Sequence, residues 1–312
     1  MTIEPGVSDA TEDAELSGIV IVGSAPGTGL SEATVSAVAM PRPARGETRW
    51  DVVWPPLLLG VVLIGVWYAI TYLVLDEQRR FLLPAPHQVI SEGFFGEDRR
   101  GDSNMSIILG GLRRSATVAA MGLSVSIVIG FTTAVIMSQS VKAERAIFPY
   151  MVMLQATPIL ALVPLIGFWF GYSTMPRVIV CVIISLFPII VNTLFGLQSA
   201  DQGMHDLFTL QHAGRLTRLR TLMFPAAMPA IFAGLRISAG LAVIGAIVGD
   251  FFFGQGTPGL GQVLKRATGN NESELLIATV IVACLLGVAV FLFFGWLSRR
   301  VTSRWHSATG AG

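Results

Sequence analysis

The chain has 312 residues, 53% of them apolar and only 13% charged, and its mean hydropathy is +0.67. That balance is too apolar for a soluble globule of this length, so the chain reads as an integral membrane protein. A formal net charge of +1 with no long basic block gives no footing for nucleic acid. Cys181 and Cys284, both inside apolar runs, read as small packing residues with neither a disulfide nor a metal role.

Residues 1–50 are rich in Ala, Gly, Ser, Thr, Glu and Pro and read as a disordered tail. They lack the charged start, short apolar core and small-residue cleavage site of a secretory signal. Within them, Ser24–Ser31 (SAPGTGLS) has the glycines of a phosphate-binding loop, but Leu30 stands where that loop needs a lysine. An apolar side chain cannot supply the charge, so the stretch carries no nucleotide.

Six apolar segments follow, at about 53–75, 109–138, 146–169, 177–198, 229–252 and 275–298, each able to cross about 30 Å of hydrocarbon at 1.5 Å per residue. The first span and its external segment occupy 51–108, with Leu83-Pro84-Ala85-Pro86 followed by a short amphipathic helix over Val89–Phe94. The transport core is expected over 109–306 and a short C-terminal tail over 307–312. An even number of spans puts both ends on one side. Arg42, Arg45, Arg49, Lys142, Arg145, Arg215, Arg218, Arg220, Arg299, Arg300 and Arg304 all fall there, which the positive-inside rule makes the cytoplasm.

Polar residues inside the spans are expected to turn inward, because an unpaired donor or acceptor in hydrocarbon costs several kcal/mol. The third span carries Gln155, Thr157, Pro158 and Pro164, and its two prolines free carbonyls that need a partner or a wet cavity. Asn192 and Thr193 in the fourth span and Asp250 in the fifth complete a candidate translocation path. Apart from Asp250 and Arg236, the spans hold almost no ionisable groups. No charge-relay set, carboxylate pair or ligand cluster is spaced for catalysis or metal binding, and His87, His205, His212 and His306 lie in loops or tails.

Between the fourth and fifth spans runs ADQGMHDLFTLQHAGRLTRLRTLMFPAAMPAIFAGLR, residues 200–236, the one substantial polar loop of the core. It reads as helix, turn at His212-Ala213-Gly214, then helix from Arg215 to Phe224 stopped by Pro225 and Pro229. The spacing puts Arg215, Arg218 and Arg220 on one side, opposite Leu216, Leu219, Leu222 and Met223. This segment resembles the cytoplasmic EAA loop of bacterial ABC importer permeases: Asp206 stands at the Glu position and Phe224-Pro225 at the Leu-Pro position. His212 stands where the family has Gly, with Gly214 two residues later. The order LQATPILALVPLIGFWFG, FPIIVNTLFGLQSAD, this loop, then IFAGLRISAGLAVIGAIVGDFF and PGLG resembles the nitrate, taurine and sulfonate branch over residues 53–306. Within that branch it looks most like the group handling thiamine-precursor pyrimidines, other pyrimidines or riboflavin. Ile159, where relatives commonly place Lys, favours a neutral or heterocyclic solute over an anion.

The resemblance implies an all-α, six-span MetI-like permease of a type I importer. It would sit multi-pass in the bacterial plasma membrane, with both termini cytoplasmic. Its implied partners are a second identical copy, two ATP-binding subunits that carry the ATP and Mg, and an extracytoplasmic solute-binding protein, all around the lipid bilayer. The permease itself has no catalytic residue and no cofactor. The implied coupling segment, 200–228, meets the ATP-binding subunit through Asp206, Leu210, His212, Gly214, Arg215, Arg218, Phe224 and Pro225. The alternative solutes are nitrate, taurine and alkanesulfonates. The rival classes are a stand-alone channel, which needs no such loop, and a membrane enzyme, which needs ionisable residues clustered at one depth.

Overall fold

A computed structural model describes residues 49–306, and side-chain surroundings from 54 to 301. The tail expected over 1–50, with its Ser24–Ser31 stretch, lies outside the described residues but for its last two positions, as does the tail expected over 307–312. The chain divides into two units between Val61 and Val62, within the first helix, α1 (Arg49–Ala69), which ends in a π-helical turn at Ile70–Val74. From Trp54 to Val66 the apolar side chains of α1 are exposed, Leu57 at 62% and Val61 at 70%. Such a helix suits surrounding lipid better than a protein core.

The second unit is built on α2 (Asn104–Ser138), α5 (Thr174–Gln198) and α8 (Phe224–Phe252), with α8 laid along α5 and α5 along α2. Small residues bring these helices together. A Cβ on Gly122 would fall 2.2 Å from Cys181 Cβ, and one on Gly245 would fall 2.8 Å from Cys181 Cα, so Cys181 sits between two glycines on neighbouring helices. Close backbone approach of this kind replaces the hydrophobic drive that is missing between helices in lipid. Ser126 and Ser185 meet across α2 and α5 at 2.8 Å, and each hydroxyl also reaches a backbone carbonyl of its own helix.

Among the described residues five helices are long and apolar enough to cross a membrane, and six spans result if one bent pair is counted as a single span. That pair is the expected third span: α3 (Val141–Ala156) and α4 (Ile159–Phe170) meet at 97°. The break falls at Thr157-Pro158. The ring of a proline disfavours helical geometry in the residue before it, and Thr157 is accordingly extended at ψ 127°. Pro164, by contrast, sits inside α4.

A second difference lies after the polar loop. The helix expected to stop at Pro225 and Pro229 runs on, and Arg215–Phe252 forms one 38-residue stretch. A π-helical turn at Leu219–Met223 precedes Pro225, and such a turn absorbs the ring and missing donor that would otherwise break a regular helix. The third difference is α9 (Leu260–Asn270), which has no counterpart among the six apolar segments. It buries Leu260, Gly261, Val263 and Ala267 and joins a cluster with Val89, Ile108, Leu275 and Ala278. The last helix, α10 (Ser273–His306), packs on α8 and α9.

Candidate functional site

The coupling segment is two short helices at one end of the α2–α5–α8 bundle. The first, α6 (Gln202–Leu210), is capped by Asp201, whose carboxylate accepts the Met204 amide at 3.2 Å. It ends in a Schellman turn: the amide of His212 reaches Thr209 O at 3.0 Å, and that of Ala213 reaches Phe208 O at 3.0 Å. That turn needs a left-handed residue just past the helix, and His212 takes the role at φ 52°. The glycine usual in the resembling family adopts this conformation without the steric cost a side chain brings.

Gly214, at φ −64° and ψ 158°, is the N-cap of α7 (Arg215–Arg218). Arg218 then ties the two helices, donating from Nη2 to Thr209 Oγ1 at 2.8 Å. Phe224 meets Phe131 of α2 edge-on at 5.8 Å, so the start of α8 is seated against the bundle. Asp206 is exposed and accepts from Gln202 at 3.3 Å. Of the apolar residues expected to face away from the arginines, Met223 is buried and Leu219 and Leu222 are half-buried, whereas Leu216 is 59% exposed. The face of α6 that carries Leu210 is apolar: Met204 and Leu207, which sequence reasoning passed over, and Leu210 are three residues apart and exposed, Leu210 at 78%. These three large apolar side chains form an exposed stripe on an otherwise polar segment.

The candidate path residues differ in burial. Gln155, Pro158 and Pro164 are exposed along α3 and α4, and Thr157, half-buried, donates back to Met153 O at 2.7 Å. Asn192 is half-buried, with its amide nitrogen on Pro188 O at 2.8 Å. Thr193 and Asp250, expected beside a path, are buried at 1% and 2%.

Asp250 belongs instead to a buried polar corner between α5, α8 and α9. Arg177, fully buried, lies 2.7 Å from its carboxylate in an ion pair whose angle falls short of a hydrogen bond. The same guanidinium donates to Phe253 O at 2.6 Å and Gln255 O at 2.7 Å. Asp250 also accepts the Gln262 amide at 2.9 Å, and Ser115 of α2 accepts the Leu260 amide at 2.9 Å. The signal in the sequence is that Arg177 opens one apolar span while Asp250 closes the next, so both lie at one end of the bundle.

Beside that corner, Arg113, Arg114 and Arg266 line a cavity of about 680 Å³ with Asp102, Thr117 and Thr257. Arg266 pairs with Asp98 at 3.3 Å, and Arg114 donates to Thr174, but neither Arg113 nor Arg114 is in an ion pair among the described residues. Burial works to raise the Asp98 carboxyl, but the Asp102 and Arg100 amides and the Arg266 guanidinium outweigh it and hold it below the usual carboxylate value.

Residues 126–303 match the family described as binding-protein-dependent transport system inner membrane component. The chain is 31% identical over 236 residues to the formylaminopyrimidine transport permease protein ThiX of Halalkalibacterium halodurans, covering 76% of this chain and 90% of that one. It is 31% identical over 165 residues to the riboflavin transport system permease protein RibX of Chloroflexus aurantiacus, covering 53% and 60% respectively. It is 24% identical over 273 residues to the putative aliphatic sulfonates transport permease protein SsuC of Bacillus subtilis, covering 86% and 92%.

Proposed function

This chain belongs to the family of inner-membrane components of binding-protein-dependent transport systems, and from that membership we propose how it couples and what it carries. It is the membrane-spanning permease subunit of an ABC importer, and the ATP hydrolysis of such a system resides on another polypeptide. The coupling element is α6–α7. Its exposed Met204, Leu207 and Leu210 seat in a groove of the ATP-binding subunit, and Asp206, His212, Gly214, Arg215, Arg218, Phe224 and Pro225 shape and orient that contact. The observation that carries this reading is the exposed apolar stripe on an otherwise polar segment that opens directly into α8.

Two identical permeases, two ATP-binding subunits bearing ATP and Mg, and an extracytoplasmic solute-binding protein make up the complex. The α6–α7 end and both termini face the cytoplasm, a topology supported by Arg215, Arg218, Arg299 and Arg300 at that end. Solute passes along the faces bearing Gln155, Thr157, Pro158, Pro164 and Asn192. Thr193 and Asp250 act from behind, holding the helices that line the way. Closure of the ATP-binding subunits moves α6–α7, and ligand release follows from the change between two global states.

The solute is a small heterocycle, a pyrimidine of the thiamine-precursor type or riboflavin, a reading supported by the likeness to ThiX and RibX and by Ile159. A second reading, an alkanesulfonate or nitrate, is favoured by the cavity of Arg113, Arg114 and Arg266. ATPase activity of the reconstituted complex, with its binding protein loaded with each solute in turn, separates the two. Stimulation by a heterocycle supports the first; stimulation only by a sulfonate or nitrate replaces it. Asp206→Lys and Arg218→Glu should abolish uptake with the chain still in the membrane, and normal uptake in both removes the coupling role.

A further inference from the structure

Arg236 is a permanently charged group inside an apolar span, seven residues from the end at 229. Its guanidinium stacks on the Phe291 ring of α10 at 3.5 Å and lies against Gly295, where a Cβ would fall 3.3 Å from Cζ. Its Nε is buried without an acceptor, and the side chain makes no ion pair or hydrogen bond among the described residues. A cation in hydrocarbon without a counter-charge is expensive, so an anion from outside the described chain is required. The spans offer none. Among the described residues Asp250 is the only carboxylate away from the first turn of a candidate span, and Arg177 already holds it. A second copy of these spans therefore brings no spare carboxylate to that depth.

The surroundings of Arg236 have the shape of a lipid. The guanidinium stands at one end of an apolar groove of about 750 Å³ between α8 and α10, lined by Ile237, Gly240 and Ile244 on one side and Ala283, Gly287 and Phe291 on the other. From Arg236 to Ile247 the groove runs about 16 Å at 1.5 Å per residue, close to half of the roughly 30 Å hydrocarbon core, which is one leaflet's depth. About one helical turn beyond Gly295 come Arg299 and Arg300, and the Arg300 guanidinium lies over the Trp296 ring at 4.9 Å. Cations and a tryptophan at one level are the pairing found where a helix meets the headgroups.

The geometry points to an anionic-phospholipid site, with the lipid phosphate on the Arg236 guanidinium and an acyl chain along the α8–α10 groove. The guanidinium reaches toward the α7 end of α8, because side chains on a helix lean toward its N-terminus. The site therefore draws its lipid from the leaflet on the coupling-segment side.

The test is lipid retention by the purified full-length chain in detergent, titrated with palmitoyl-oleoyl phosphatidylglycerol or the matching phosphatidylcholine and counted by native mass spectrometry. The wild-type chain should hold phosphatidylglycerol in preference, and Arg236→Gln should erase the preference with a loss of about tenfold in affinity, the scale of one charge-assisted hydrogen bond. Gly287→Leu fills the groove without a clash, since a Cβ there meets nothing within 4 Å; it should weaken retention of both lipids. Equal retention of the two lipids by the wild-type chain, or an unchanged preference in Arg236→Gln, would overturn the assignment. So would oxidative cross-linking of Cys284 between two copies in membranes, because that thiol lines the groove and Cys181 is fully buried.

Discussion

Asp250→Asn is the substitution that most directly tests the buried corner. The amide keeps the shape of the carboxylate and its oxygen can still accept the Gln262 amide, 2.9 Å away in the wild type. What it removes is the counter-charge 2.7 Å from a guanidinium with no solvent exposure. Stranding one partner of a buried ion pair costs about 3–5 kcal/mol. At roughly 2–4 °C per kcal/mol for a chain of this size class, the unfolding midpoint should fall by on the order of 10 °C. Arg177→Met with Asp250→Leu strips both charges. It loses the ties to Phe253 O, Gln255 O and the weaker one to Thr257 O at 3.4 Å, and the acceptor of the Gln262 amide, but it leaves no buried charge unpaired, so the double variant should be less damaged than Asp250→Asn alone. Thermal unfolding in detergent gives the midpoint, and amide exchange across 253–263 gives the local effect, which should be fast opening of the corner in Asp250→Asn. A midpoint within about 1 °C of wild type in Asp250→Asn, set against the 3–5 kcal/mol expected for a stranded charge, would refute the reasoning.

His212→Gly should tighten the turn between α6 and α7. It relieves about 1–2 kcal/mol of left-handed strain and returns about 0.5–1 kcal/mol in chain entropy. The Ala213 amide should then exchange about twofold more slowly. Leu207→Glu with Leu210→Glu, both on the exposed face of α6, should leave the chain stable in detergent while lowering co-purification of the ATP-binding subunit at least about tenfold. Gly122→Ala would drive a methyl into Cys181 and should cost about 1–3 kcal/mol of stability, with partial recovery when Cys181→Gly makes room, both read as unfolding midpoints. The Asp98 tie stabilises the segment before α2 while the carboxyl is ionised. Its folded value is depressed, so that stabilisation is present at neutral pH and is lost as pH falls below the ordinary carboxylate value of about 4. The protection of the Arg100 and Asp102 amides from exchange, taken relative to the free-peptide rate at each pH, should fall in acid, and Asp98→Asn should flatten the dependence.

The spans were legible because lipid demands long apolar helices, and each of the six segments forms one, broken only at the third. There the sequence shows Pro158 as a disruption, yet the bend angle depends on how α4 packs Val163 and Ile166 against Val180 and Phe253 of distant segments. α9 was illegible for a different reason. With one face buried and the other polar, it has no apolar run to announce it, and its contacts with Ile108 and Leu275 span most of the core. In the coupling segment, the motif located Asp206, His212 and Pro225 by spacing alone. The left-handed backbone of His212 explains why glycine is the usual residue there, which spacing could not. The pairing of Arg177 with Asp250 was hidden because a lone charge near the end of an apolar run shows no partner until one is found on another helix.

The unbroken course from Arg215 to Phe252 has a mechanical meaning. Thirty-eight residues at about 1.5 Å each make a rod of about 57 Å. Tilted by about 5° at the α7 end, its far tip sweeps about 5 Å, nearly a full helical turn. That tip is the corner where Asp250, Arg177 and α9 are fastened together, so a modest push on one side of the membrane arrives on the other as a displacement of a whole assembly. Under the proposed coupling, the π turn at Leu219–Met223 is the joint of this lever.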